Sequence, residues 1–358
     1  MIGVREIPSN PRRIAIFRAL QLGDLIQAIP AIRAIRAGFP DAEITLIGLP
    51  WAKSFIERFH HYIDRFVEFV GFPGITEVEV IPERIAGFIE EQRAYDYDIA
   101  IQMHGSGRAS NRFILALGAK MTVGYYTGLY PEQLTLEAPY PNNQPEVYRN
   151  LGLAKLLNCQ NYDLRLEFPI CDQDRSEAVT LLSRLPRQNR PWIGLHAGAR
   201  PSSRRWPVQY FASLADELTQ KFNAQIILTG SADEKVIVRS VEAHMKTRPL
   251  NLAGETSLGS LAALINELDL FVSNDTGPAH IANALDTPSI TIFGPADYRR
   301  WAPLDQVRHP IVRRSVKCSP CSYSDCPIDH RCLRWIHPEM VMSVAERLLV
   351  GGIVSCGV

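Results

Sequence analysis

The chain has 358 residues, 46% of them hydrophobic, and its 38 Lys plus Arg exactly offset 38 Asp plus Glu. That balance excludes bulk electrostatic capture of nucleic acid, the apolar content excludes a disordered tail, and the length suits two domains with a cleft between them. No apolar run has the length of a signal sequence or a membrane span, which predicts a cytoplasmic protein whose contact with a membrane would be peripheral.

The first half opens with a strand, RRIAIFRA (Arg12 to Ala19), the turn LQLGD, and a helical stretch with apolar residues at Leu25, Ile29, Ile32 and Ile35. Pro30 should kink or restart that helix near Ala28. Strands at Ala42 to Pro50 and Asp98 to Gly105 alternate with helix-like segments, the pattern of a parallel sheet wound with helices, so the fold class is α/β. Asp24 in the first strand-to-helix turn reads on its own as a helix cap. Its place beside the expected cleft also makes it a candidate general base for an acceptor hydroxyl, a role worth about 10² to 10⁴ in rate. Asp96-Tyr97-Asp98 has the D-x-D spelling of a metal site but runs directly into a strand, so a turn is the better reading. Arg108 and Arg112 follow the His104 to Gly107 turn and, with Arg33, Arg36, Lys53 and Arg58, are candidates to meet an anionic acceptor; a solvated surface is the competing reading.

After Phe168-Pro169 the alternation begins again, which sets domains at 1–169 and 170–358. Helices at Asp172 to Leu185, Val208 to Lys221, Asp233 to His244 and Leu258 to Glu267 separate strands at Pro191 to Gly198, Ala224 to Gly230, PLNLAG, LDLFVSN and SITIFG. Ligands of such sheets bind outside the carboxyl ends of the strands. Four turns should therefore share one rim: His196 to Pro207, Thr229 to Glu234, Ala253 to Leu258 and Asn274 to His280. In the last, Gly277-Pro278 turns the chain into a helix whose free N–H groups and dipole suit a diphosphate beside Thr276. Arg204 and Arg205 can meet phosphate bidentately, and Glu234 can accept from ribose hydroxyls. Taken singly, Asp275 reads as a helix cap, His280 as a half-buried helix residue and Arg204 as a loop charge.

Seven cysteines in a cytosolic-looking chain argue against a disulfide framework. Cys318, Cys321, Cys326 and Cys332 follow C-x2-C-x4-C-x5-C, a spacing that suits one structural zinc or iron, with a bare thiol cluster as the other reading. Cys159, Cys171 and Cys356 read as ordinary small residues.

RALQLGDLIQAIPAIRAIR, the RRWP turn, SNDTGPAHIANAL, TIFGPAD and the CSPC segment together resemble glycosyltransferase family 9, the ADP-heptose transferases of lipopolysaccharide core assembly, over Arg13 to Leu348. The resemblance implies a GT-B fold, two Rossmann-like domains with parallel sheets facing a central cleft. It further implies ADP-heptose on the C-terminal domain, a lipopolysaccharide core acceptor on the N-terminal one, inversion at the anomeric carbon, and no obligatory cofactor. The family's base falls on Asp24, its pyrophosphate-binding residues on Asp275, Thr276, Gly277 and His280, and its ribose acid on Glu234. Arg204 stands where the family often has lysine. Beside a diphosphate Asp275 would be repulsive, so it is expected to orient donors or the sugar. Two alternatives stand beside this reading. One keeps the fold with another nucleotide sugar or a protein acceptor; the other is a non-catalytic nucleotide-sugar or metal-binding protein.

Overall fold

The computed structural model describes residues 6–128, 133–185 and 190–355. It divides into two compact units, Met1–Arg165 and Leu166–Val358. In the first, β1 (Arg13–Phe17) leads into α1 (Leu22–Ile26) and α2 (Ile29–Gly38). β2 (Glu43–Gly48), α3 (Ala52–Ile56), β3 (Arg65–Glu68), α4 (Pro82–Ala94), β4 (Ile99–Gln102) and α5 (Ser110–Ala116) follow. β5 (Met121–Tyr126), β6 (Leu136–Pro139) and α6 (Glu146–Leu156) complete it. The second unit runs α7 (Asp172–Leu182), β7 (Trp192–His196), α8 (Val208–Phe222), β8 (Gln225–Thr229), α9 (Lys235–His244), β9 (Leu250–Asn251) and α10 (Leu258–Asn266). It ends β10 (Leu270–Asn274), α11 (Gly277–Ala284), β11 (Ser289–Phe293), α12 (Tyr298–Trp301), β12 (Ile311–Arg313), α13 (Arg331–Arg334) and α14 (Pro338–Ser355).

Each unit is built on a six-stranded sheet, ordered β3-β2-β1-β4-β5-β6 and β12-β11-β10-β7-β8-β9. All pairings inside them are parallel. These are doubly wound Rossmann-like sheets, and the α/β expectation holds. Central strands RIAIF, IAIQ and LFVSN are covered on both faces, which is why they read as nearly continuous buried runs rather than alternating ones. The order reverses between β1 and β4, and again between β7 and β10. In open sheets the crevice at such a reversal is where ligands bind.

Pro30 acts as expected: α1 ends, Ala28 caps the restart, and the proline occupies the first turn of α2, where its missing N–H costs nothing. Strands β3, β5, β6 and β12 have no counterpart in the sequence reading. Three of them are short, partly exposed outer strands, so neither period shows in three or four residues. The D-x-D spelling is a turn. Asp98 Oδ2 accepts the N–H groups of Arg12 (2.7 Å) and Arg13 (3.0 Å), and Oδ1 takes Lys120 Nζ (2.9 Å), so the carboxylate fastens the start of β1. Asp98→Ala should therefore lower unfolding free energy by about 1–3 kcal/mol in urea titrations. Added Mg²⁺ or Mn²⁺ should have no effect through this site.

Candidate active site

In the second unit the loop after β7 makes a single 3-10 turn, Ser202–Arg204, that delivers Arg204 to the end of β10. Its guanidinium lies 3.3 Å from Asp275 Oδ2. Asp275 is only 4% exposed, whereas the Arg204 side chain is 39% exposed, so a buried carboxylate is neutralised by a cation that keeps one side toward solvent. Asn274, fully buried, locks this geometry. Its Oδ1 accepts the Trp206 N–H (2.9 Å) and its Nδ2 donates to the carbonyls of Ala197 (2.9 Å) and Gly198 (3.3 Å), tying the two strand ends together across the reversal. Nothing in a lone asparagine of the S-N-D-T-G run distinguishes this zipper from an ordinary turn residue.

Thr276, not Asp275, is the N-cap of α11, in extended backbone (φ −145°, ψ 174°), with Pro278 in the first turn. The Thr276 side chain does not cap the helix, and its buried Oγ1 has no hydrogen-bond partner among the described residues. A buried hydroxyl left unpaired beside free helix N–H groups marks a position for a ligand acceptor atom. One turn on, His280 is 6% exposed, and burial, helped by the Arg204 charge, lowers its pKa to about 4. The imidazole is neutral at pH 7. It can donate an N–H to an anion but brings no charge of its own.

At the end of β8, Glu234 caps its own turn by accepting the Ser231 N–H (2.8 Å), and its Oε2 lies 3.6 Å from His196 Nε2. Burial lowers the pKa of His196, with the Glu234 charge opposing. The carboxylate covers Gly198 so closely that a Cβ there would overlap it, which explains glycine at that position. Arg205 is elsewhere: its backbone is extended after the turn, and the guanidinium points back to the carbonyls of Ala199 (2.8 Å) and Arg200 (3.3 Å). It braces the loop that Arg204 crowns and does not reach Asp275.

Three of the clustered cysteines lie on a loop that grips this same turn, and Cys332 is on α13, which follows it. Ser203 N–H donates to Ser324 O (3.0 Å), Ser203 Oγ to Tyr323 O (2.6 Å), Ser202 Oγ to Asp325, and His330 Nε2 to Ser203 O. Cys318, Cys321, Cys326 and Cys332 line one small cavity under it. Burial and the other three sulfurs push the Cys332 thiol up to about 11, so it stays protonated. Among the described residues no three His, Cys, Asp or Glu side chains are arranged to hold a metal ion. Within the cluster Cys332 is buried on α13 and Cys318 is exposed. Cys356 falls outside the described residues.

In the first unit Asp24 is the third residue of α1, not its cap; its carboxylate reaches back to the Gln21 N–H (3.2 Å). Arg18, 1% exposed, lies beneath it. Arg18 donates to the backbone carbonyls of Asp24 (2.8 Å) and Met103, to Asn150 Oδ1 (3.1 Å) and to Glu146 Oε1 (3.1 Å), and its Nη2 is 3.8 Å from Asp24 Oδ1. The bond to Met103 spans the reversal between β1 and β4. Arg108 and Arg112 are exposed beyond β4, whereas Arg33 and Arg36 are tied to carbonyls and to Asp163 and Asp64 within the unit.

A family profile, glycosyltransferase family 9 (heptosyltransferase), matches residues 85–331. The chain belongs to glycosyltransferase family 9. It is 25% identical over 345 residues to lipooligosaccharide heptosyltransferase 2 of Campylobacter jejuni, covering 94% of this chain and 98% of that one. It is also 25% identical to lipopolysaccharide heptosyltransferase 3 of Escherichia coli, covering 91% and 95%. Two solved structures share the fold. One is a family 9 glycosyl transferase from Veillonella parvula (TM-score 0.79, 22% identity, 95% and 98% covered). The other is the E. coli ADP-heptose lps heptosyltransferase II (TM-score 0.73, 22% identity, 95% and 99% covered).

This family 9 glycosyltransferase therefore brings Arg204, Asp275, Thr276 and His280 together at one reversal, with Glu234 two strands away, and holds Asp24 at the other. Asn274, Arg18 and Glu146 are the residues that the sequence reading passed over; a buried arginine has no sequence signature of burial. Two outcomes follow for this enzyme. Thr276→Val should leave thermal stability equal or higher, because it removes an unpaired buried hydroxyl, while weakening nucleotide binding about tenfold or more by calorimetry. For His280 the folded pKa lies below the unfolded one, so its contribution to stability is whole above about pH 6.5 and is lost as pH falls toward 4. Melting temperatures recorded across that range should fall less steeply for His280→Gln.

Proposed function

We propose that the enzyme transfers heptose from ADP-heptose to a hydroxyl of a lipopolysaccharide inner-core acceptor, with inversion at the anomeric carbon and without an obligatory cofactor. The observation that carries this is the Arg204–Asp275 pair beside the unpaired Thr276 hydroxyl and the start of α11. Support comes from relatives: one solved neighbour is described as an ADP-heptose transferase acting on lipopolysaccharide, and another was solved with ADP.

In this reading the helix N–H groups at Gly277, the Thr276 hydroxyl and the neutral His280 N–H receive the diphosphate, and Arg204 supplies positive charge as it departs. Direct displacement builds positive charge on the sugar and negative charge on the leaving ADP. Donors already fixed at the leaving-group end stabilise that charge without reorganising. Asp275, neutralised by Arg204, is held for the sugar rather than the phosphates. Glu234, whose carboxylate keeps acceptor capacity beyond its Ser231 bond, takes the ribose hydroxyls. Asp24 removes the proton from the attacking hydroxyl, and Arg18, bonded to the Asp24 carbonyl, holds it in position. Arg108 and Arg112 are the acceptor contacts of this reading. Among the described residues no helix is long and apolar enough to cross a membrane. We place the reaction at the cytoplasmic face of the inner membrane, where the protein touches the lipid-linked acceptor peripherally.

A second reading keeps the fold and changes the partners. One structural neighbour is described as an iron-containing dodecameric glycosyltransferase; it is 13% identical, with a TM-score of 0.56. Thermal-shift measurement with ADP, UDP and GDP separates the donors: ADP should stabilise most, and an absent ADP shift would overturn the first reading. Asp24→Asn should lower turnover by about 10² to 10⁴ with the ADP shift intact, read by mass spectrometry of products formed from ADP-heptose and truncated cores. Full activity in that variant would remove Asp24 from the chemistry.

A further inference from the structure

Strands β11 and β12 are neighbours, and β11 is in turn the neighbour of β10, which carries Asp275. The chain leaving β11 and the chain leaving β12 enclose a cavity of about 210 Å³ on the same rim of the sheet. Tyr298, Arg299, Arg313, Arg314, Ser315 and Ser319 line it. The two segments are fastened by Ser319 Oγ donating to Gly294 O (3.0 Å). Arg313 is held with its guanidinium 3.8 Å over the Tyr298 ring, and Arg299 is paired to Asp297 (Nε to Oδ1, 2.9 Å). Neither Arg313 nor Arg314 has a carboxylate partner among the described residues. In a chain whose total charge is zero, three guanidinium groups facing one concavity against a single carboxylate concentrate positive potential there.

We propose that this cavity is a second anion site, separate from the turn that receives the nucleotide, and that it binds a phosphate or carboxylate group. Three observations agree on that chemistry. Guanidinium forks match the oxygen pairs of both groups, and Ser315 adds a hydroxyl donor. Stacking on Tyr298 pre-orients Arg313, so less side-chain freedom is lost on binding. The cavity opens at the carboxyl ends of two parallel strands, where ligands of these sheets sit. The anion has two sources, an acidic group on the saccharide acceptor or free phosphate. Assignment to the acceptor rests on the transferase reading above; the existence of the site does not.

The test uses the full-length chain and the double variant Arg313→Ala/Arg314→Ala, with inorganic phosphate as the probe, followed by ³¹P line broadening at saturating ADP. The wild type should bind phosphate with ADP in place, and the double variant should bind it about tenfold more weakly. Both residues are exposed, so the ADP thermal shift should be unchanged and reports that the variant is folded. Steady-state kinetics then assigns the source. If the anion belongs to the acceptor, KM for a phosphate- or carboxylate-bearing truncated core rises about tenfold in the variant, with kcat unchanged, and KM for the same core after dephosphorylation and carboxyl reduction does not move. Weakened phosphate binding with both KM values constant supports the site and assigns it to free phosphate. Phosphate binding equal in wild type and variant, or displaced by ADP in the wild type, overturns the proposal. A missing ADP shift in the wild type would strike the nucleotide reading alone, because the phosphate titration can be run without ADP.

Discussion

The C-terminal site depends on one ion pair between unequal partners. Asp275 is buried beside a helix N-terminus and would be costly as a bare charge; Arg204 compensates it from a half-exposed position. Because Arg204 is only partly committed, it can serve a second anion without abandoning the first. In the proposed reading this resolves the apparent conflict of an aspartate next to a diphosphate: the carboxylate sets where the guanidinium stands, and the phosphates would meet the guanidinium, the helix N–H groups and Thr276. Burial keeps His280 neutral, and the nearby Arg204 charge adds to it in opposing protonation.

Such a pair is useful only if both halves are held, and the surrounding bonds do that. Asn274 joins the strand ends from the β10 side, while the cysteine-bearing loop grips Ser202 and Ser203 from the other. Trp206, fully buried, anchors the far end of the turn through Nε1 to Ile336 O (2.8 Å). The cysteine loop thus has a role that needs no metal: it stiffens the turn preceding Arg204. In the N-terminal unit Arg18 does the corresponding work. Its donors are distributed over Glu146, Asn150 and two carbonyls, so its position is over-determined and the Asp24 backbone is held with it.

How much of this was legible in the residues differs by feature. The long buried strands, the restart at Pro30 and the turn after β10 could be read because each is a local pattern: apolar run, proline, or S-N-D-T-G-P. Outer strands β3 and β6 could not, being four residues long and half exposed, with pairing to a distant neighbour as their main support. Arg205 could not be told from Arg204, since adjacent arginines carry the same chemistry and only the backbone after the 3-10 turn sends one to Asp275 and the other to Ala199.

By itself the sequence determined the class of fold, the turn and helix start after β10 and the family, because these rest on periodicity and on contiguous motifs. The tertiary structure decided which charged groups meet. Arg204 and Asp275 are seventy-one residues apart, and Arg18 and Glu146 one hundred and twenty-eight. Their pairing is set by strand order in a parallel sheet, where the reversal brings together ends that are remote along the chain. The same order places β12 outside β11 and so gathers Arg299, Arg313 and Arg314 around one cavity, a constellation with no contiguous signature.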